Sequence, residues 1–202
     1  MRPGQDAGAR PREAERRQLT VMFCDLVGST ELSSPQDPED LPELLRRYHD
    51  AMTAIVLRYG GYVANYLGDG ILAYFGWPRA DEDQATQAVR AGLAAVVAAK
   101  ELSLRVDIGI ASGTVVIGDI EAAGRRQAGA IAGETPNLAR LEALAGPDQL
   151  VIGGLTRQLI GAAFILDDLG PQKPKGIAGP VKRGGYWPSV RSRAASTPAP
   201  AG

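Results

Sequence analysis

The sequence is poor in the features that mark several large protein classes. It has a single cysteine, Cys24, in 202 residues. No disulfide within the chain is possible, which fits a reducing compartment. No apolar run approaches the ~20 residues that a membrane-spanning helix needs, so no membrane span is expected. The formal net charge is −1, so no bulk field favours nucleic acid or an anionic membrane. Residues Met1 to Arg17 are charged and lack the apolar segment of a signal peptide. Together with the lone cysteine, this gives the expectation of a cytoplasmic protein. The pattern Gly-x-x-x-x-Gly-Lys-Ser/Thr is absent, so a P-loop is excluded. The only histidine, His49, sits beside Tyr48 on a helical pattern and reads as a surface residue.

What the sequence does have is a pair of acidic residues in two distinctive settings. Asp25 ends the apolar, β-branched run Leu19-Thr20-Val21-Met22-Phe23-Cys24 and opens the small-residue turn Leu26-Val27-Gly28-Ser29-Thr30. Asp69 lies at the tip of Gly68-Asp69-Gly70, between the apolar runs Tyr62–Tyr66 and Ile71–Phe75. Each aspartate alone would pass for a turn former. Together, at adjacent strand ends, two carboxylates can hold two divalent cations ~3.5–4 Å apart. The backbone N–H groups of Val27, Gly28, Ser29 and Thr30 could then cradle a polyphosphate. That combination points to phosphoryl chemistry on a nucleoside triphosphate.

Periodicity organises the rest. Residues 1–17 read as a disordered lead-in and 191–202 as a disordered tail, leaving one folded domain over 18–190. Leu19–Leu26 is a strand. Leu41, Leu44, Leu45, Tyr48, Met52, Ile55, Val56 and Tyr59 recur at helical spacing and stop at Gly60-Gly61. A hairpin turns at Gly68-Asp69-Gly70, where glycine permits φ > 0. Ala85, Ala88, Val89, Gly92, Leu93, Val96 and Val97 trace a second helix. Leu104–Ile110 and Thr114–Ile117 read as a second pair of strands, residues 118–130 as a flexible loop or arm, and Pro136–Ala145 as a short helix capped by Thr135 and stopped by Gly146-Pro147. The fold class is α/β (α+β): a ferredoxin-like βαββαβ core with added C-terminal helix and strand elements.

Three segments carry a resemblance to a known family. Thr20–Thr30 resembles the first metal-binding segment of class III nucleotidyl cyclases. Gly60–Gly70, containing Asn65 and Asp69, resembles their second. Gly133-Glu134-Thr135-Pro136-Asn137-Leu138-Ala139-Arg140-Leu141 looks like their transition-state helix. The resemblance covers about Arg17 to Trp187, with the motifs in the family's order.

The resemblance implies a catalytic domain that converts ATP, or alternatively GTP, into a 3′,5′-cyclic nucleotide and pyrophosphate. It implies two Mg²⁺ or Mn²⁺ ions per site, held by Asp25, Asp69 and the carbonyl of Leu26. It implies phosphate binding by Gly28, Ser29 and Thr30, and by a C-terminal lysine, Lys175 or its near neighbour Lys173. It also implies a head-to-tail homodimer with active sites at the interface. Asp25 and Asp69 would come from one protomer, and Asn65, Asn137, Arg140 and the lysine from the other.

This chain departs from the family pattern in two places. Where adenylate cyclases of the family carry a lysine four residues before the hairpin aspartate, and guanylate cyclases a glutamate, it has Asn65. An amide can donate and accept, so it suits adenine or guanine edges. The usual partner position, often Asp or Thr, falls on Ala130, which offers no side-chain hydrogen bond. The second departure is the spacing Asn137-Leu138-Ala139-Arg140, one residue shorter than the family's Asn-x-x-x-Arg. One residue on a helix is a rotation of ~100°, and ~1 Å of misplacement can cost ~100-fold in rate. A guanylate or mixed-specificity cyclase, and a catalytically weak module that binds nucleotide or a partner cyclase, are the alternatives these departures leave open.

Overall fold

The computed structural model describes residues 15–28, 40–122, 125–132, 145–171 and 186–191. They begin with the expected βαββαβ order: β1 (Glu15–Leu26), α1 (Asp40–Arg58), β2 (Tyr62–Leu67), β3 (Gly70–Phe75), α2 (Gln84–Glu101) and β4 (Val106–Ala122). The additions are β5 (Arg125–Ala132), β6 (Leu150–Ile152), α3 (Gly154–Ile160), β7 (Ile165–Pro171) and β8 (Tyr186–Arg191). All eight strands join one sheet in the order β2-β3-β1-β4-β6-β8-β7, with β5 paired to β4. Every pairing is antiparallel except β4 with β6.

The alternation of β1 sorts the molecule into two faces. Met22, Cys24 and Leu26 join the larger core with Tyr48, Met52 and Val56 of α1 and Ala88, Ala91 and Ala95 of α2. Leu19, Val21 and Phe23 join the smaller cluster on the other face, with Tyr74, Trp77, Ala111, Val115 and Ile117. In a pleated strand, successive side chains leave opposite faces. Asp25 therefore leaves β1 on the face away from α1 and α2.

Local chemistry fixes the ends of the helices. At the end of α1, the Gly60 N–H donates to the Leu57 carbonyl at 3.1 Å and the Gly61 N–H to the Val56 carbonyl at 2.9 Å. With Gly60 at φ +74°, this is a Schellman cap. A side chain at Gly61 would meet Phe75 and Val56 at 2.7 and 2.8 Å, so that glycine also lets the helix end close against β3. Helix α2 lays a small-residue face of Ala85, Ala88, Ala91, Gly92, Ala95 and Ala99 on the sheet.

Three expectations need correction. First, Leu104–Ile110 and Thr114–Ile117 are not two strands. β4 runs unbroken through Ala111-Ser112-Gly113, because β1 extends to Glu15 and pairs with it from Leu26↔Val106 to Glu15↔Ile117. The residues left between the two expected strands are paired as well, Ala111 with Val21, Ser112 with Thr20 and Gly113 with Leu19. Second, Glu15–Arg17 belong to β1 rather than to a disordered lead-in. Arg17 is held by an ion pair to Glu15 at 2.9 Å, a hydrogen bond to the Pro78 carbonyl at 2.9 Å and the Trp77 ring at 5.1 Å. Third, residues 118–122 and 125–130 are not a loop: β4 continues to Ala122 and β5 returns along it, pairing Gly118 with Ala130 and Ala122 with Arg125. The expected helix from Pro136 lies outside the described residues. Ala145, placed at its end, is in a bend.

Candidate active site

The Gly68-Asp69-Gly70 turn forms as the sequence predicts. β2 ends at Leu67 and β3 starts at Gly70, leaving Gly68 and Asp69 as a two-residue loop with Gly68 at φ +68°. Positive φ at the first loop residue is the geometry that glycine favours in a tight hairpin. The ladder Cys24↔Ile71 places Gly70 beside Asp25. A Cβ on Gly70 would lie 3.0 Å from Asp25 Oδ1. Its absence lets the carboxylate rest against the hairpin that carries Asp69. Tyr66 braces this hairpin on α1 through its hydroxyl, 2.8 Å from Thr53 Oγ1, and its ring, 5.0 Å from that of His49. His49 is thus half-buried between Tyr48 and Tyr66 rather than a plain surface residue, and its Nε2 has no hydrogen-bond partner among the described residues.

The electrostatics of the site are those of crowded negative charge. Burial raises the pKa of Asp25, the neighbouring charge of Asp69 raises it further, and a backbone hydrogen bond from Leu26 opposes both. Asp107, on β4, is the cross-strand partner of Asp25. It alternates with Val106, Ile108 and Ile110 of the helix-side core, so it shares the outer face with Asp25. Its pKa is pushed up to about 6, by burial first and then by Asp25 and Asp148, with Arg105 pulling the other way. Its Oδ1 is buried without a hydrogen-bond partner among the described residues. The sequence reading missed Asp107. Its signal was present as one charge inside the apolar run Val106-Asp107-Ile108.

Asn65 reaches the same outer face by a different route. The β2–β3 register shifts between Val63↔Ala73 and Asn65↔Leu72. Ala73 belongs to the helix-side core, whereas Leu72 packs with the outer cluster. Asn65 therefore stands on the face of Asp25.

The remaining candidates divide cleanly. Leu26 is buried and follows Asp25 at the end of β1. Gly28 occupies the turn after it at φ +73°. The Val27 N–H donates to the Arg105 carbonyl at 2.9 Å, so it is engaged within the fold and a phosphate cradle would start at Gly28. Ala130 lies in β5 opposite Gly118. Ser29, Thr30, Asn137, Arg140 and Lys175 lie outside the described residues. Cys24 is buried, 3.4 Å from the Tyr48 hydroxyl. Burial raises the pKa of Tyr48 well above the ordinary range.

Over residues 12–187 the sequence matches the adenylate and guanylate cyclase catalytic domain. The chain belongs to that family. The adenylyl cyclase CyaB from P. aeruginosa superposes with a TM-score of 0.84 at 30% identity, covering 91% of this chain and 98% of the other. The guanylyl cyclase Cya2 gives 0.81 at 28% identity, covering 92% and 97%. Adenylate cyclase 1 of Rhizobium meliloti (strain 1021) is 33% identical over 144 residues, which are 66% of this chain and 22% of that protein. The chain spans about a fifth of the length of the curated relatives it matches.

In this cyclase domain the donors fit the divalent cations that the family uses. Asp25 and Asp69 are brought together against a glycine backbone, and the charge of Asp69 adds to the cost of ionising Asp25. A buried carboxylate oxygen on Asp107 has no hydrogen-bond partner among the described residues. Hard carboxylate oxygens are the ligands that Mg²⁺ and Mn²⁺ prefer. Among the described residues no helix is long and apolar enough to cross a membrane.

Proposed function

We propose that the chain is a nucleotidyl cyclase that converts ATP into 3′,5′-cyclic AMP and pyrophosphate. The observation that carries the reading is the meeting of Asp25 with the Asp69 hairpin across Gly70. Asp25, Asp69 and the Leu26 carbonyl would hold two Mg²⁺ or Mn²⁺ ions. Bound there, the ions supply charge that stabilises the ionised ribose 3′-oxygen and the leaving pyrophosphate.

The chain's own residues orient the substrate around that centre. The turn from Gly28 through Ser29 and Thr30, with Lys175, receives the triphosphate. Asn65 offers an amide to the base edge. Asn137 holds the ribose, and Arg140 meets the charge that builds on the α-phosphate. In this arrangement the 3′-oxygen attacks the α-phosphorus in line, its proton leaves to solvent, and the bond to the β-phosphate oxygen breaks. The site is assembled by two copies of the chain, with Asp25 and Asp69 from one and Asn65, Asn137, Arg140 and Lys175 from its partner.

GTP is the second reading of the substrate. It is favoured by Asn65 standing where neither lysine nor glutamate is present, and by the nearly equal likeness to an adenylyl and a guanylyl cyclase. The test is turnover of ATP and of GTP with Mg²⁺ and with Mn²⁺. Cyclic AMP formation by the wild type, lost in Asp25→Ala and in Asp69→Ala with the fold intact, is the expected result. Wild-type-like turnover in either variant would remove the two-cation mechanism.

A further inference from the structure

Directly opposed like charges in an antiparallel pair destabilise the sheet. Asp25 and Asp107 are such a pair. Both leave the outer face, both are partly buried, and one oxygen of Asp107 has no donor among the described residues. A buried polar atom without a partner is costly, and more so when charged. The charge of Asp148 bears on Asp107 as well, and its own cation, Lys100, is 3.6 Å away and more than half exposed. Arg105 offsets part of this charge without cancelling it, and an asparagine would fill the same space without the charge.

We propose that Asp107 is a third carboxylate of the cation centre, set beside Asp25 on the neighbouring strand to strengthen divalent-cation binding by its charge. The inference rests on the reading of Asp25 and Asp69 as cation holders. The described carboxylates do not converge as three ligands on one point. Asp107 therefore acts at a distance, or through a water on the ion, rather than by direct coordination. Divalent-cation affinity in carboxylate sites rises with the charge assembled around them. The same charge that strains the empty fold becomes favourable once a dication sits in front of Asp25. Asp107 is a positioning and charge-supplying residue, and its signature is an opposite effect on the empty and the loaded protein.

The experiment measures Mn²⁺ binding to the full chain by titration calorimetry, alongside thermal melting with and without Mn²⁺. Four proteins are compared: wild type, Asp25→Asn, Asp107→Asn and Glu101→Gln. The last removes one exposed charge at the end of α2, on the helix side. Asp107→Asn is expected to melt higher than wild type without metal and to bind Mn²⁺ about tenfold more weakly, the order expected for one nearby charge. Glu101→Gln should bind as wild type does. Wild-type Mn²⁺ affinity in Asp107→Asn, with binding lost in Asp25→Asn, overturns the inference and leaves the site reading standing. Equal weakening in Asp107→Asn and Glu101→Gln also overturns it, since bulk charge would then be responsible. Absence of Mn²⁺ binding in the wild type overturns both. Asp107→Ser provides the same comparison should the asparagine variant fail to fold.

Discussion

Asn65 stands opposite Leu72 in the β2–β3 ladder, out of step with Val63 opposite Ala73. Strict alternation from Val63 would send Asn65 to the same side as Val63, against α1. The bulge at Ala64 shifts the pairing by one residue and turns Asn65 to the face that carries Asp25. A one-residue slip exchanges the faces of every side chain beyond it, and bulges are commonly used to re-aim a side chain beside a site. Tyr66, the next residue, consequently points back to Thr53 and His49 on α1.

Base selection should therefore be modest. One amide, with alanine rather than a polar residue at position 130, offers few hydrogen bonds to a base edge. Sites that hydrogen-bond a substrate group strongly reject analogues by ~10⁴-fold or more. The ratio of kcat/KM for ATP and GTP is expected to lie below ~10³, and Asn65→Lys to shift it toward ATP. A native ratio above that bound would mean that other groups read the base.

The sequence exposed some of this site and hid the rest for physical reasons. The hairpin was legible because Gly68-Asp69-Gly70 is local chemistry: a turn that needs φ > 0, bounded by apolar runs. The end of α1 was legible for the same reason, at Gly60-Gly61. The continuity of β4 was hidden because Ala111-Ser112-Gly113 looks like a turn until β1 is known to lie alongside it. The bulge at Ala64 and the pairing of Asp25 with Asp107 were hidden too. Both are facts of register, and register depends on a strand far away in sequence.

A buried hydroxyl chain ties the site strand to the C-terminal additions. Thr20 Oγ1 lies 2.8 Å from Ser112 Oγ, which lies 3.0 Å from Thr156 Oγ1, whose hydroxyl reaches the Ile110 carbonyl at 3.5 Å. All three residues are buried. Thr156→Val keeps the shape and removes one link, leaving Ser112 short of a partner. The expected cost is about 1–3 kcal/mol, read as a lower denaturation midpoint with an unchanged slope. A variant as stable as wild type would show that the chain is dispensable.

Gly92 lies where α2 crosses β6. A Cβ there would overlap Leu150 Cδ1 and crowd Ile108 and Ile110 at 3.4 Å. Alanine gains up to ~1 kcal/mol of helix propensity, but overpacking a closed core costs ~1–3 kcal/mol. Gly92→Ala should therefore be destabilised on balance. Leu150→Ala should lose ~2–5 kcal/mol by itself. The double variant should lose less than the sum of the two singles, because the cavity accepts the new methyl. Strict additivity in chemical denaturation would show that Gly92 and Leu150 do not compete for the same space.

The proposed assembly of the site from two protomers yields the most demanding prediction. In the proposed site, Asp25 and Arg140 would act at the same reacting phosphate and be supplied by different copies of the chain. Asp25→Ala and Arg140→Ala should each abolish turnover alone. Mixed in equal amounts and allowed to exchange, they form heterodimers in which one site collects both defects and the other collects none. Random pairing makes half of the dimers mixed, and each has one good site of two, so about a quarter of wild-type activity should return. Mixing Asp25→Ala with Asp69→Ala is the control. Both defects then fall on the same side of the interface, each site of the heterodimer keeps one of them, and no activity should return. A first mixture as inactive as its components, with exchange confirmed by differently tagged copies, would mean that Asp25 and Arg140 serve one site from one chain.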